Sequence, residues 1–504
     1  METYETYETY ADLVAAEDVL LFVNAAITST GQREFRSTAD EQRMSLDFLH
    51  EYVRVNYREL YAAALALDIN HHNAVEIIRR LLVSARETDE KQRWVEGRLI
   101  AARLAVLPPQ RVYRLFGQLR RARVNNRRTR AIMRDWLAGR RDHGFDAVKY
   151  RSGFKTAVRH GHLPVTDELG DFLFAPRKRG HYEHELLDTY RRARYTHSAL
   201  YELPFTVAEG FAAQHGIPRA VFLDRIEPRM TRHERLRNQE SARALKAEIE
   251  VDLAAMPLTR LASYVLSLDL SVRSERRAEL TDALRAAARR VAGPYAGTWG
   301  RVAAVLDDSF SASGSAQKRR RPLAVALACH FLLAELADTY VPLWTSGRGD
   351  ALLTYPYGPT PLGLRILDAL DHSPARLVIV SDGWDNAPPG LAGEVLRVWR
   401  TRLDPSRRTS VVHLNPVYDA DGYDVRRLAP SVPTSGVRDA EDLPALVELA
   451  QFAEGRTGLA ELRAYLHERV KAFTGTADDR VRLFPVTGGV TETVSEAATE
   501  GTTA

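Results

Sequence analysis

The chain has one cysteine, Cys329, in 504 residues. A single thiol excludes an intramolecular disulfide and suits a reducing compartment. Long apolar runs are also scarce. The most apolar stretch, PLAVALACHFLLAELA, carries His330 and Glu335 and falls short of the ~18 residues that mark a membrane helix. It predicts a buried helix with Cys329 inside it. The opening METYETYETYAD is acidic and aromatic, unlike a secretory signal. There is no Walker loop, dinucleotide glycine fingerprint, zinc-protease helix or cysteine nucleophile in the context its chemistry needs. We therefore expect a cytoplasmic, monomeric protein without membrane contact, and a binding protein rather than an enzyme. The net charge is only +4, so any polyanion must be met by a local concentration of cations.

The 45% hydrophobic content supports large cores, and the length predicts at least two domains. Three Glu-Thr-Tyr copies make residues 1–10 a flexible terminus in this reading. Across 11–292, apolar residues recur at three and four spacing, as in DLVAAEDVLLFVNAAI and AVEIIRRLLVSAR. That pattern predicts an α-helical, HEAT-like solenoid or ring. After the turn GPYAGTW, apolar strands and helices alternate from 302 to 414. The alternation predicts an α/β doubly wound domain, 299–486 with its terminal helices. The Thr/Gly/Glu-rich tail, 487–504, predicts disorder.

The segment VAAVLDDSFSASGS ends an apolar strand in Asp307-x-Ser309-x-Ser311. GPTPLGLRILDAL offers Thr360 at a helix start, and ARLVIVSDGWDN is a second apolar strand ending at Asp382. Open α/β sheets place ligands at the carboxyl ends of their strands. Two carboxylates and three hydroxyls there make an all-oxygen site for a hard cation, best Mg²⁺. One such motif alone is a capped strand end. The ordered triple resembles the von Willebrand factor A domain and its metal-ion-dependent adhesion site. The resemblance implies that Ser309, Ser311 and Thr360 touch the metal directly or through water, that Asp307 and Asp382 mostly orient waters, and that one position stays open for a partner's acidic group.

Between Arg111 and Arg159 fifteen Arg or Lys stand against three Asp, a local charge of +12. Within NNRRTRAIMRDWLAGRRDHGFDAVKYRSGFKTAVRHGHLP, the residues Ile132, Met133, Trp136 and Leu137 form a core stripe. Arg127, Arg128 and Arg130 lie on other faces, followed by Lys149, Arg151, Lys155, Arg159, His160 and His162. Helical spacing puts Arg151, Lys155 and Arg159 on one face, where like charges repel. A bound polyanion would relieve them; ordinary solvation or distant Glu partners would do so too. Arg177, Lys178 and Arg179 add a cationic loop, and Arg191, Arg192 and Arg194 a further set. Lys318 to Arg321 are expected to open the helix after the metal loop.

The run Arg127-Arg128-Thr129-Arg130-Ala131-Ile132 with Trp136, then Lys149-Tyr150-Arg151, then His160 or His162, resembles the TROVE domain of Ro ribonucleoproteins. The sequence departs from that pattern at Gly153-Phe154-Lys155, where an aromatic-Ser-His step commonly stands. A helical ring followed by a von Willebrand A domain is the Ro architecture. The resemblance implies binding of small noncoding or misfolded RNA by these cationic residues. A second reading is a protein-assembly adaptor whose metal holds an acidic residue of a partner such as a MoxR-type AAA+ ATPase.

Overall fold

The computed structural model describes residues 2–176, 178–245, 247, 249–443 and 459–481. Up to residue 300 every described regular element is helical. The first helix, Glu2–Thr28, begins at the Glu-Thr-Tyr triplets. The expected flexible terminus is therefore helical backbone, continuous with the apolar stretch that buries Phe22, Val23 and Ala26. Helix starts follow the local chemistry. Thr38 and Thr231 each form a capping box with the Glu three residues on, which satisfies otherwise orphaned amides.

The second unit is built on a parallel sheet. Its strands are β1 (Arg301–Leu306), β2 (Thr339–Trp344), β3 (Arg376–Val380), β4 (Ser410–Asn415) and β7 (Thr434–Gly436), in the order β2-β1-β3-β4-β7. A two-stranded antiparallel pair, β5 (Tyr418–Asp419) and β6 (Asp424–Val425), stands apart. The alternating faces of β1 belong to two cores. Ala303 and Val305 pack with Leu362 and Ile366 on one side. Val302, Ala304 and Leu306 face the helix Arg321–Leu336 on the other, where the core runs on into the helical region. Cys329 is buried in that helix. The helix starts at Arg321, later than expected. Lys318 to Arg320 precede it, and Arg320 holds a left-handed conformation with φ 54°.

The α/β unit touches both ends of the helical region. At the first end, Asn24 donates to Asp424 at 3.0 Å and accepts from the amide of Gly436 at 3.0 Å. A Cβ on Gly436 would lie 2.8 Å from Thr28 Cγ2, so the close approach of β7 to the first helix needs glycine there. Ser45 bonds the Tyr418 hydroxyl at 2.6 Å. At the last end, the buried Arg273 donates to the carbonyls of Leu352 and Thr354, each at 2.9 Å. Thr259 donates to Glu441 at 2.6 Å. Helices Leu258–Ser267 and Arg277–Ala292 pack on Arg321–Leu336. The chain of helix-to-helix packing is thus closed by the α/β unit. No described helix is long and apolar enough to cross a membrane.

Candidate metal centre and cationic surface

β1 and β3 are neighbours, with Leu306 opposite Val380. From β1 the chain crosses to β2 on one side, while β3 lies on the other. This is the topological switch point of the sheet, where the crossovers diverge and leave a crevice. Asp307 follows β1 and Asp382 follows β3, so both carboxylates emerge into that crevice. Asp307 accepts from the Ser309 amide at 2.9 Å and from the Ser381 hydroxyl at 2.8 Å. Ser309 Oγ and Ser311 Oγ are 3.2 Å apart, and the Ser311 hydroxyl bonds Asp382. The amide of Trp384 also donates to Asp382, at 3.1 Å. Thr360 joins through its backbone, whose amide donates to Asn386 Oδ1 at 2.8 Å. The Phe310 amide bonds the Gly358 carbonyl at 3.0 Å, which ties the Thr360 loop to the serine turn. All five sequence-predicted residues are buried; hydrogen bonds join Asp307, Ser309, Ser311 and Asp382 side chain to side chain or to backbone, while Thr360 is tied in through its backbone and Asn386.

Burial raises the pKa of both carboxylates, and the charge of Asp382 raises Asp307 further. Nearby Arg36 and Arg426 and the Ser311 hydroxyl ease Asp382 without cancelling its burial. Two desolvated carboxylates beside hydroxyl oxygens suit a hard divalent cation, which would neutralise the charge that burial disfavours. No group of three or more His, Cys, Asp or Glu side chains with metal-holding geometry occurs among the described residues. A cation held here would depend on hydroxyl donors instead.

Sequence reasoning missed the residues that hold this site in shape. Asp308 is fully buried and accepts from Thr345 Oγ1 at 2.9 Å, from the Ser346 amide at 2.8 Å and from the Ser346 hydroxyl at 2.6 Å. It anchors the loop leading to Thr360. Its only sequence signal is its place beside Asp307. Trp384 is flanked by Arg36 and Arg426, 4.0 and 3.7 Å from its ring centre. Gly383, at φ +78°, leaves no room for a Cβ against the Arg426 carbonyl 2.6 Å away. Phe310 and Tyr357 stand exposed at the rim.

The cations of 127–179 divide into free and tied groups. Arg127, Arg130 and His162 are exposed. Lys155 and Arg159 lie over the ring of Phe174, at 5.4 and 4.9 Å, and Arg151 lies over Phe172 at 4.7 Å. The expected shared face of 151, 155 and 159 is therefore an aromatic-backed one. Arg151 also donates to the Phe172 carbonyl at 2.8 Å and to Tyr190 at 3.2 Å. Lys149 sits over Phe145 at 5.5 Å, and His160 bonds the Val124 carbonyl at 2.9 Å. Arg128 turns inward. It donates to the Arg93 carbonyl at 2.8 Å and lies 3.8 Å from the buried Glu96. Lys178 and Arg179 share Asp171, at 3.0 and 2.7 Å. Arg177 lies outside the described residues. Arg191 and Arg192 pair with Asp188. The stripe behaves as core: Met133, Trp136 and Leu137 are buried, with Ile132 packed beside them.

No protein-family model matches the chain, and no curated protein matches its sequence.

Proposed function

We propose that this chain is a Ro-like RNA-binding protein, a helical ring closed by a von Willebrand A-like domain. Small noncoding or misfolded RNA is its ligand, and the free cations Arg127, Arg130, Lys155 and Arg159 supply most of the phosphate contacts. Arg151, Lys149, His160 and His162 border them. Lys178 and Arg179 contribute less, because they share the single carboxylate of Asp171. The observation that carries the reading is the closure of the helical region onto the α/β unit at both ends. Arg and Lys contacts to phosphate are sequence-independent, while Phe174 and nearby Tyr offer faces on which bases stack.

In this reading Asp307, Ser309, Ser311, Thr360 and Asp382 hold Mg²⁺. When bound, the ion would supply a position for an acidic group of a protein partner. The domain binds; it has no role in bond making. One observation favours the adaptor reading in its own right: the donor set is rimmed by exposed Phe310 and Tyr357, and aromatic residues are enriched at protein interfaces. A partner such as a MoxR-type AAA+ ATPase would use that rim. Nucleic-acid absorbance of protein purified at low salt separates the two. Co-purifying RNA supports the first reading. Nucleic-acid-free protein that captures an acidic partner only with Mg²⁺ supports the second.

A further inference from the structure

A cleft of about 310 Å³ lies where three parts of the chain meet. Thr28, Thr30 and Gln32 come from the end of the first helix and its following loop. Ser263 comes from the helix Leu258–Ser267. Gln317, Lys318, Arg319, Arg321 and Arg438 come from the α/β unit. Among the described residues four cations line it and no carboxylate does.

Two of the cations are already compensated. Lys318 is ion-paired with the buried Glu34. Arg438 bonds Asp439 at 2.5 Å and lies 3.8 Å from Asp442. The other two have no ion-pair partner among the described residues, although the charges of Asp439 and Glu34 reach Arg321. Arg319 is exposed and has no hydrogen-bond or ion-pair partner among the described residues. Arg321 donates to the Arg438 carbonyl at 2.9 Å, yet its Nε is shielded from solvent with no acceptor. The left-handed turn at Arg320 explains the arrangement: Arg320 points away to the Leu266 carbonyl, while Arg319 and Arg321 both reach the cleft. The amide oxygens of Gln32 and Gln317 are engaged by Thr30 and by the Arg33 amide. Their NH₂ groups remain as donors.

We propose that this cleft binds a phosphate group, with Arg319 and Arg321 as its charge partners and the amides of Gln32 and Gln317 as neutral donors. Four cations against the carboxylates of Glu34, Asp439 and Asp442 leave one surplus positive charge, which matches a phosphate monoanion or a phosphodiester, and guanidinium forks suit its oxygens better than a point charge does. The volume sits at the low end of small-molecule sites, which start near ~300 Å³. It suits the phosphate end of a mononucleotide or one backbone phosphate of RNA. Because three segments contribute, the bound phosphate also bridges both ends of the helical region to the α/β unit. The inference depends neither on the metal site nor on the cationic surface of 127–162.

Isothermal titration of the full chain at constant ionic strength tests it. Inorganic phosphate, AMP and a five-nucleotide RNA serve as separate ligands. We expect one saturable phosphate site, weakened at least tenfold by Arg319→Glu and unchanged by Arg130→Glu. Arg319 has no partner to lose, so the variant should melt with the wild type in phosphate-free buffer. Gln32→Leu should weaken binding less. Tighter binding of AMP than of the RNA assigns the site to a free nucleotide. Tighter binding of RNA, displaced by phosphate and abolished in Arg319→Glu, assigns it to an RNA backbone. Absence of saturable phosphate binding, or equal affinity in wild type and Arg319→Glu, overturns the proposal.

Discussion

Replacing Asp307 with Asn tests the proposed metal centre and makes a two-sided prediction. The carboxylate is buried and its pKa is pushed up by that burial and then by the charge of Asp382. A divalent cation would relieve the repulsion, and so would a neutral amide of the same shape. Asn retains an oxygen to accept from the Ser309 amide, which lies 2.9 Å from the native carboxylate, and can turn its NH₂ toward Ser381. At a Mg²⁺ concentration a hundredfold above Kd, binding to the native state alone contributes about 2.7 kcal/mol. For a unit of this size that is a rise in Tm of about 5–10 °C. Differential scanning fluorimetry with EDTA, Mg²⁺ or Mn²⁺ reads it. Wild type should show the rise. Asp307→Asn should show none, while its EDTA-treated form melts no lower than metal-free wild type. A wild type indifferent to both ions, or a variant that responds as strongly, would refute the reasoning.

Charge reversal at Arg130 and Arg159 together should weaken RNA binding across sequences and flatten the log–log salt slope by about 0.7 for each phosphate no longer neutralised; alanine at Lys178 and Arg179 should change both less, and filter binding at several salt concentrations compares them. Glu34→Ala should cost about 3–5 kcal/mol, because it leaves the buried Lys318 unpaired; urea denaturation measures the loss, and a stability within about 1 kcal/mol of wild type would contradict a desolvated pair. Burial holds His50 down to about 3 and His330 and His413 down to about 4. A depressed pKa means the unfolded chain takes up the proton first, so their contribution is complete above an unfolded pKa of about 6.5 and fades as pH falls toward about 4. Each histidine should cost about 1.4 kcal/mol per pH unit in that window, and a Tm that stays level from about pH 7 to about pH 5 would show that they are protonated in the fold.

The strands of the α/β unit were legible because a parallel sheet buries its strands on both faces. Such strands read as unbroken apolar runs like Val302–Leu306. β7 was not legible: Thr434–Gly436 is three small residues, held by backbone pairing to β4 and by Asn24 from the far end of the chain. Four of the five proposed metal donors follow strand ends at fixed offsets, so topology brings Asp307, Ser309, Ser311 and Asp382 together; Thr360 instead precedes the helix Leu362–Asp371. Charge was harder to interpret. Composition counts the cations of 111–159, but their partners are remote in sequence. Glu96 draws Arg128 inward, and the Phe172 carbonyl holds Arg151. The sequence could not distinguish these tied cations from Arg127 and Arg130. The first helix was underestimated at its start, where Glu-Thr-Tyr repeats carry no apolar periodicity, and Lys318 to Arg320 were placed in a helix that begins only at Arg321.

RNA binding by the free cationic face is the proposed function. Fluorescence anisotropy of a labelled single-stranded RNA and of a small stem-loop, titrated with the full chain at two salt concentrations, tests it most directly. If Arg127, Arg130, Lys155 and Arg159 each neutralise one phosphate, the slope of log affinity against log salt on the single strand is about −3, with micromolar or tighter binding at low salt. No binding at micromolar protein in low salt, or an affinity that ignores salt, would contradict the account.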